Sequence, residues 1–131
     1  GDIMPIQIKR IYEPVQESDG IRLLVDRLWP RGISKEKAYI DGWAKELAPS
    51  NELRTWFGHE ATKFLEFAKL YKAELKANAA AQKAVREIIR ISREKTVTLL
   101  YGAKDPLLNQ AAVLKEYLTE LLSEPQQDAV P

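Results

Sequence analysis

The 131-residue chain contains no cysteine and a single histidine, His59. The absence of cysteine excludes disulfides, thiolate metal sites, cysteine nucleophiles and iron-sulfur clusters. A single histidine excludes sites that need several histidine ligands, which leaves carboxylate-bound Mg²⁺ as the one plausible metal centre. We therefore predict no metal and no cofactor, and the lack of cysteine agrees with a reducing, cytoplasmic location.

Long apolar runs are also missing, since none approaches the roughly 20 residues that a membrane-spanning helix needs. The first residues contain no basic segment followed by an apolar one, so no secretory signal is predicted. We expect Met4 to be the natural start and residues 1–3 to be a remnant of protein production. Ordinary globular composition predicts one domain over residues 4–122 and a polar, disordered tail over residues 123–131.

Three segments have the pattern of β-strands. Alternating apolar residues predict a strand over residues 5–12, and a continuous apolar run predicts a strand buried on both faces over residues 21–28. Pro30 follows closely and ends this strand, because proline has no backbone N–H to donate to a neighbouring strand. The β-branched segment 95–101 is the clearest strand, and we predict that it lies at the centre of the sheet.

Helical patterns fill the remainder of the chain. Ser34 and Ser50 are suitable N-caps for two short helices, and Asp41 is predicted to cap a third over residues 42–47. Apolar spacing predicts amphipathic helices from Glu60 to about Arg93, and a closing helix follows the last strand. Strands that alternate with helices predict an α/β fold, with a small, mainly parallel sheet and helices packed on its faces.

Charged and aromatic side chains follow two of the predicted strands. Ligands of such sheets bind beyond the carboxyl ends of the strands, so we expect these side chains to meet in one crevice if the strands are neighbours. Arginine and lysine side chains bind anions, so we predict a ligand that resembles a phosphate or a nucleotide. Arg27, Arg31 and Lys104 would hold its negative charge. The predicted site residues are Asp26, Arg27, Trp29 and Arg31 where the second strand ends, and Tyr101, Lys104, Asp105 and Asn109 where the last one ends and beyond it.

The other side chains of this set have predicted roles of their own. Trp29 or Tyr101 would stack on a flat ring, and Asp26 or Asp105 would orient or activate a group on the ligand. Asn109 would support them. The structural alternative stays open, in which Asp26 pairs with an arginine and Trp29 is a plug in the core.

Three further features carry competing interpretations. His59 is a general base if its loop folds over the crevice, or else a residue that ties one helix to the next. An aromatic cluster of Trp43, Trp56 and Phe57 lines a pocket wall or belongs to the core. Arg54 lies between these rings in sequence and either covers them or points into the site.

Residues 61–95 carry nine basic and four acidic side chains. Their spacing produces basic stripes on two helices, which suit nucleic-acid binding or a regulatory role, or are simply solvated helix faces. A protein-interaction module without a ligand is a third possibility.

The phosphate-binding P-loop, the dinucleotide-binding glycine turn, the serine nucleophile elbow and the zinc HExxH motif are all missing. Catalysis and oligomeric state stay open.

The chain resembles a known family over nearly its whole length, from about Ile6 to Leu122. The resemblance rests on the segments Lys9-Arg10-Ile11-Tyr12, Leu24-Val25-Asp26-Arg27-Leu28-Trp29-Pro30-Arg31-Gly32, Leu47-Ala48-Pro49-Ser50 with Trp43, Leu53-Arg54-Thr55-Trp56-Phe57-Gly58-His59, Thr98-Leu99-Leu100-Tyr101-Gly102-Ala103-Lys104-Asp105, and Asn109-Gln110-Ala111. It is similar to the YeaO-like family of uncharacterised bacterial proteins, domain of unknown function 488. The resemblance implies a compact α/β fold and a bacterial cytoplasmic protein, and it brings no established reaction. Members often carry histidine before the asparagine, where this chain has Leu108.

Overall fold

The computed structural model describes residues 5–124. The predicted remnant over residues 1–3 and most of the predicted tail lie outside the described residues. The strands are β1 (Ile6–Arg10), β2 (Ile21–Leu24), β3 (Gly42–Trp43) and β4 (Val97–Tyr101). The helices are α1 (Lys35–Ala38), α2 (Asn51–Phe57), α3 (Phe64–Ala77), α4 (Ala79–Ser92) and α5 (Gln110–Ser123).

The four strands form one parallel sheet in the order β1-β4-β2-β3. Parallel neighbours require crossover connections, and the helices between the strands supply them. The predicted α/β fold with a parallel sheet is therefore confirmed. The central position of the last strand is confirmed too, because β4 pairs with both β1 and β2.

β4 connects the two hydrophobic cores, because all five of its residues are buried. Val97, Leu99 and Tyr101 face the larger core, which the helices α2 to α5 complete. Leu100 points to the other face, where it joins a smaller cluster with Ile11 and Leu24. Alternation of side chains along a strand places Leu100 on the face opposite to that of Leu99 and Tyr101.

β2 is shorter than predicted, since it ends at Leu24 and not at Leu28. The backbone N–H of Val25 still donates to Leu100, at 3.0 Å. At Asp26 the ladder stops, because its carbonyl accepts a hydrogen bond from the indole N–H of Trp43 at 2.6 Å. Residues 26–33 are consequently a loop and not a strand end.

The helix predicted over residues 42–47 is wrong. Asp41 does not cap a helix: its carboxylate accepts the backbone N–H of Arg22 at 2.8 Å, and its own N–H donates to the Arg22 carbonyl at 2.7 Å. These bonds align Gly42–Trp43 beside β2 as the edge strand β3, and a short 3₁₀ turn, Lys45–Leu47, follows. Pairing with a distant strand thus outweighs the local capping signal.

Candidate functional site

A cavity of about 400 Å³ opens at the carboxyl ends of β1, β2 and β4. These three strands are parallel and adjacent, so the segments that follow them meet at one edge of the sheet. The polypeptide around α2 closes the opposite wall with Pro49 and Phe57. This is the position at which open α/β sheets bind ligands.

Six of the nine predicted site residues line this cavity: Asp26, Arg27, Trp29, Arg31, His59 and Lys104. They come from three places in the sequence, namely the loop after β2, the turn after α2 and the turn after β4. The sheet order makes the first and third of these places neighbours.

Tyr101, Asp105 and Asn109 do not line the cavity. Tyr101 is buried in the larger core, and burial together with the charge of Glu13 raises the pKa of its hydroxyl. Asp105 is exposed and accepts the backbone N–H groups of Leu107 and Leu108, which lower the pKa of its carboxyl.

Asn109 is buried and caps α5. Its side-chain oxygen accepts the backbone N–H of Ala112 at 2.8 Å, and its amide nitrogen donates to the Asp105 carbonyl, also at 2.8 Å. Leu108, which precedes this cap, does not line the cavity either. The side chains of Asp105 and Asn109 therefore stabilise the connection from β4 to α5.

Among residues 5–124, Asp26 is the one carboxylate on the cavity wall. One of its oxygens accepts the backbone N–H of Gly102 at 3.0 Å, and the other accepts the side-chain amide of Gln110. Burial outweighs these bonds and the nearby charge of Arg54, so the pKa of Asp26 rises to about 6. Gly102 has to be small here, because a Cβ would lie 3.1 Å from the Asp26 oxygen and 3.2 Å from Pro30.

Five cationic side chains surround that single carboxylate. They are Arg10, Arg27, Arg31, Arg54 and Lys104. Within residues 5–124, no ion pair involves any of them or Asp26, so the predicted alternative of an Asp26 ion pair with arginine is not what this region contains.

Neutral oxygens hold three of these arginines in place. Arg10 donates to the Ala103 carbonyl at 2.9 Å, and Arg27 donates to the Pro49 carbonyl at 3.0 Å. Arg54 reaches only the Asn51 side chain, at 3.4 Å. A neutral partner leaves the positive charge of an arginine uncompensated.

Trp29 lies both against the smaller core and on the cavity wall. Its ring lies edge-on to Trp43, with centroids 5.4 Å apart, and belongs to the smaller core. Its indole N–H donates to the Ile33 carbonyl at 2.7 Å, which closes the loop after β2. The same ring also forms part of the cavity wall.

His59 follows the end of α2 at an exposed position on the cavity rim. Gly58 caps the helix in a left-handed conformation, and His59 itself has a φ of 60°. The imidazole lies 6.0 Å from the Phe57 ring, between centroids. This turn orients His59 toward the cavity and at the same time links α2 to the next helix, so both predicted roles are compatible with its position.

Sequence reasoning missed Arg10, Tyr12 and Gln110 as cavity residues and left Arg54 undecided. Arg10 and Tyr12 follow β1, whose position beside β4 the sequence does not reveal. Gln110 comes directly after the asparagine cap, within a motif that carries the family resemblance. For Arg54, the sequence alone could not decide between a position over the aromatic rings and a position on the cavity wall. The structure places Arg54 on the wall.

The basic helices α3 and α4 are partly neutralised. Lys72 forms ion pairs with Glu116 and Glu120 of α5, which raise the pKa of its amine. Arg90 pairs with Glu87 on its own helix. Exposed pairs of this kind leave the basic stripe with less free charge than the sequence suggests.

The described part of the chain has neither a metal-binding cluster nor a membrane-spanning helix. Residues 5–124 contain no group of three or more histidine, aspartate or glutamate side chains placed to hold a metal ion. In the same stretch, no helix has both the length and the apolar character to cross a membrane.

Comparison with known proteins gives a consistent family. A family model described as "Inactive DUF488-N3 subclade" matches residues 5–131. The YeaO protein of Escherichia coli K12 is 44% identical over 118 residues, which cover 90% of this chain and all of YeaO. The protein Rv3073c of Mycobacterium tuberculosis H37Rv is 37% identical over 113 residues, covering 86% of this chain and 92% of that protein. No solved structure is a significant match. The chain therefore belongs to the YeaO-like, DUF488 family of bacterial proteins.

Proposed function

We propose that this protein binds a small anionic ligand in the cavity at the strand ends. The observation that carries the proposal is the excess of cations on its wall, five against one carboxylate, with no ion pair among them in residues 5–124. Clustered like charges repel one another in the empty cavity, and an anion would relieve that repulsion. A volume of about 400 Å³ suits a ligand the size of a nucleotide.

Arg31, Arg54 and Lys104 are the side chains best placed to hold the anion. All three are exposed at the cavity, and arginine binds phosphate or carboxylate through two parallel hydrogen bonds. Arg10 and Arg27 lie deeper, where bonds to backbone carbonyls fix their positions. They contribute a fixed positive charge to the cavity wall.

Binding is favoured over chemistry. The matching family is described as an inactive subclade, which supports a protein that holds its ligand without converting it. Of the three predicted catalytic residues, Asp105 lies outside the cavity. Its carboxylate accepts hydrogen bonds from two backbone N–H groups. Asp26 and His59 line the cavity, and we assign them binding roles.

The test is a thermal-shift and calorimetric titration of the protein with inorganic phosphate and pyrophosphate. We expect both anions to raise the melting temperature. Arg31→Ala should weaken binding about tenfold or more, because it removes a charge-assisted hydrogen bond. Arg86→Ala is the matched control, since Arg86 is an exposed arginine of α4 outside the cavity.

Two results would count against an anion site. One is the absence of any stabilisation by phosphate or pyrophosphate. The other is equal loss of binding in Arg31→Ala and Arg86→Ala, which would indicate a diffuse charge effect at the surface.

Nucleic-acid binding by the basic helices is the less favoured function. The ion pairs of Lys72 and Arg90 reduce the charge available to phosphates. Such binding would fall steeply with added salt and would be lost on charge reversal at Arg86 and Arg90. A gel-shift assay at low salt distinguishes it from a cavity ligand, because Arg31→Ala would leave it intact.

A further inference from the structure

Asp26 faces the cavity with unused hydrogen-bonding capacity. An ionised carboxylate has about four acceptor positions, and Asp26 uses two of them, for Gly102 and Gln110. Burial raises the pKa of Asp26 to about 6, so near neutral pH the group is ionised and can only accept. Each of its two oxygens therefore accepts one hydrogen bond within residues 5–124 and has capacity for a second.

Three backbone carbonyls of cavity residues already accept a hydrogen bond from a side chain. The carbonyls of Ala103 and Pro49 accept from Arg10 and Arg27. The Arg31 carbonyl accepts from the Tyr12 hydroxyl. Asp26 is consequently the acceptor best able to pair with two neighbouring donors of one ligand.

The donors that Asp26 would meet belong to a neutral group. A guanidinium or ammonium group is disfavoured, because five cations share the cavity wall. A neutral ring that carries a ring N–H beside an exocyclic amino group offers two parallel donors at the spacing of a carboxylate. Guanine has this edge, whereas adenine and cytosine place a ring acceptor beside their amino group.

The half-buried ring of Trp29 on the cavity wall supplies an aromatic surface for a flat ring. Phe57 and Phe67 stack with centroids 4.2 Å apart, and both contribute to the wall, as does Trp29. Phe57 and Phe67 are almost fully buried, while Arg31 and Lys104 are exposed at the rim. The cavity therefore combines apolar walls and one carboxylate with the fixed charges of Arg10 and Arg27 and with exposed cations at its rim.

We infer that the cavity takes a guanine nucleotide, with the base on Asp26 and the phosphate on the rim cations. The inference rests on the proposed anion site and adds the identity of the other end of the ligand. Gln110 and Gly102 are positioning residues in this arrangement, because their hydrogen bonds fix the plane of the Asp26 carboxylate.

The experiment compares guanosine monophosphate, inosine monophosphate and inorganic phosphate by calorimetric titration near neutral pH. Inosine monophosphate lacks only the exocyclic amino group. We expect the guanine nucleotide to bind at least about tenfold more tightly than inosine monophosphate, because loss of one donor leaves an Asp26 oxygen unpaired.

Asp26→Asn supplies the second arm. An amide presents one donor and one acceptor, so the preference for guanosine over inosine monophosphate should disappear. Inorganic phosphate should bind the variant no more weakly than the wild type, because the substitution removes a negative charge. Circular dichroism confirms that the variant is folded, and the wild-type comparison of the two nucleotides does not depend on it.

The outcomes separate the two proposals. If inorganic phosphate binds and guanosine monophosphate binds no more tightly than inosine monophosphate, the guanine inference is overturned and the anion site stands. Retention of the full preference in Asp26→Asn would also overturn it. If neither phosphate nor nucleotide binds, the anion site itself is wrong.

Discussion

At the scale of single residues, Asp26 is a carboxylate held on the cavity wall at a cost in solvation. The residue is half-buried, and its two hydrogen bonds do not restore the solvation that it loses on folding. Proteins retain such groups at binding sites at the expense of stability. The raised pKa of Asp26 is the physical sign of that expense.

We predict that Asp26→Asn stabilises the free protein at alkaline pH. The wild-type carboxyl has an ordinary pKa of 3.8 unfolded and about 6 folded. The folded state therefore keeps a proton that the unfolded state loses, and stability falls as pH rises through this interval. Asparagine retains the bond to Gly102, so the variant should be about 1 to 3 kcal/mol more stable at about pH 8.

Urea denaturation of both proteins at about pH 4 and about pH 8 measures this difference. The gain should be much smaller at the acidic value, because there the folded carboxyl is protonated and the unfolded carboxyl, with its pKa of 3.8, is about half protonated. Asp105→Asn is the control with the opposite sign: backbone N–H groups lower the pKa of Asp105, so its removal should cost stability at neutral pH. A gain for Asp26→Asn that does not change with pH would contradict the account.

At the scale of elements, the connection from β4 to α5 shows how a cap differs from a ligand-binding residue. Asn109 fills both of its hydrogen-bonding roles within the connection, accepting from Ala112 and donating to the Asp105 carbonyl. A capping side chain of this kind contributes stability to its helix. Gln110, the next residue, is the one that reaches the cavity.

We predict that Asn109→Ala destabilises the protein by about 1 to 3 kcal/mol, because it removes a buried cap and leaves backbone groups unpaired. Asn109→Ser keeps an N-cap oxygen and should recover part of the loss. Phosphate affinity should be unchanged in any of these variants that is folded, since Asn109 does not line the cavity. Denaturation and calorimetric titration measure the two effects separately, and a loss of affinity without a loss of stability would contradict a capping role.

The elements with strong local signals could be predicted from the sequence. The β-branched segment that forms β4 and the apolar spacing of α3 and α4 are properties of neighbouring residues, and so is the Ser50 cap of α2. β3 could not be predicted, since Gly42–Trp43 is a strand only through its pairing with Leu23 and Leu24. Asp41 shows the same limit, because its capping signal is local and its actual partner, Arg22, is 19 residues away.

The candidate site was predictable in part for the same reason. Asp26, Arg27 and Arg31 follow a recognisable strand, and Lys104 follows another, so the strand-end rule finds them. Arg10 lies on the cavity only because β1 is next to β4, which is a matter of sheet order. Asp105 and Asn109 are residue types that serve equally in caps and in ligand sites, and sequence alone does not separate the two uses.

At the scale of the whole molecule, β4 is the element on which both cores and the cavity depend. It hydrogen-bonds to a strand on each side, and its side chains enter the larger core and the smaller one alternately. Gly102, directly after β4, binds Asp26 from the loop after β2. Opening of β4 would therefore require unfolding of the sheet as a whole.

We predict that hydrogen exchange is slowest in β4, at the rate set by global unfolding. β3 should exchange faster, because it has two residues and lies at the edge of the sheet. The loop over residues 26–33 should be faster in the free protein and slow markedly on ligand binding, because it carries part of the cavity wall. Mass spectrometry of peptides covering these segments, with and without pyrophosphate, measures all three rates. Faster exchange in β4 than in β3 would contradict the central role of β4, whereas protection by pyrophosphate confined to α3 and α4 would move the anion site from the cavity to the basic helices.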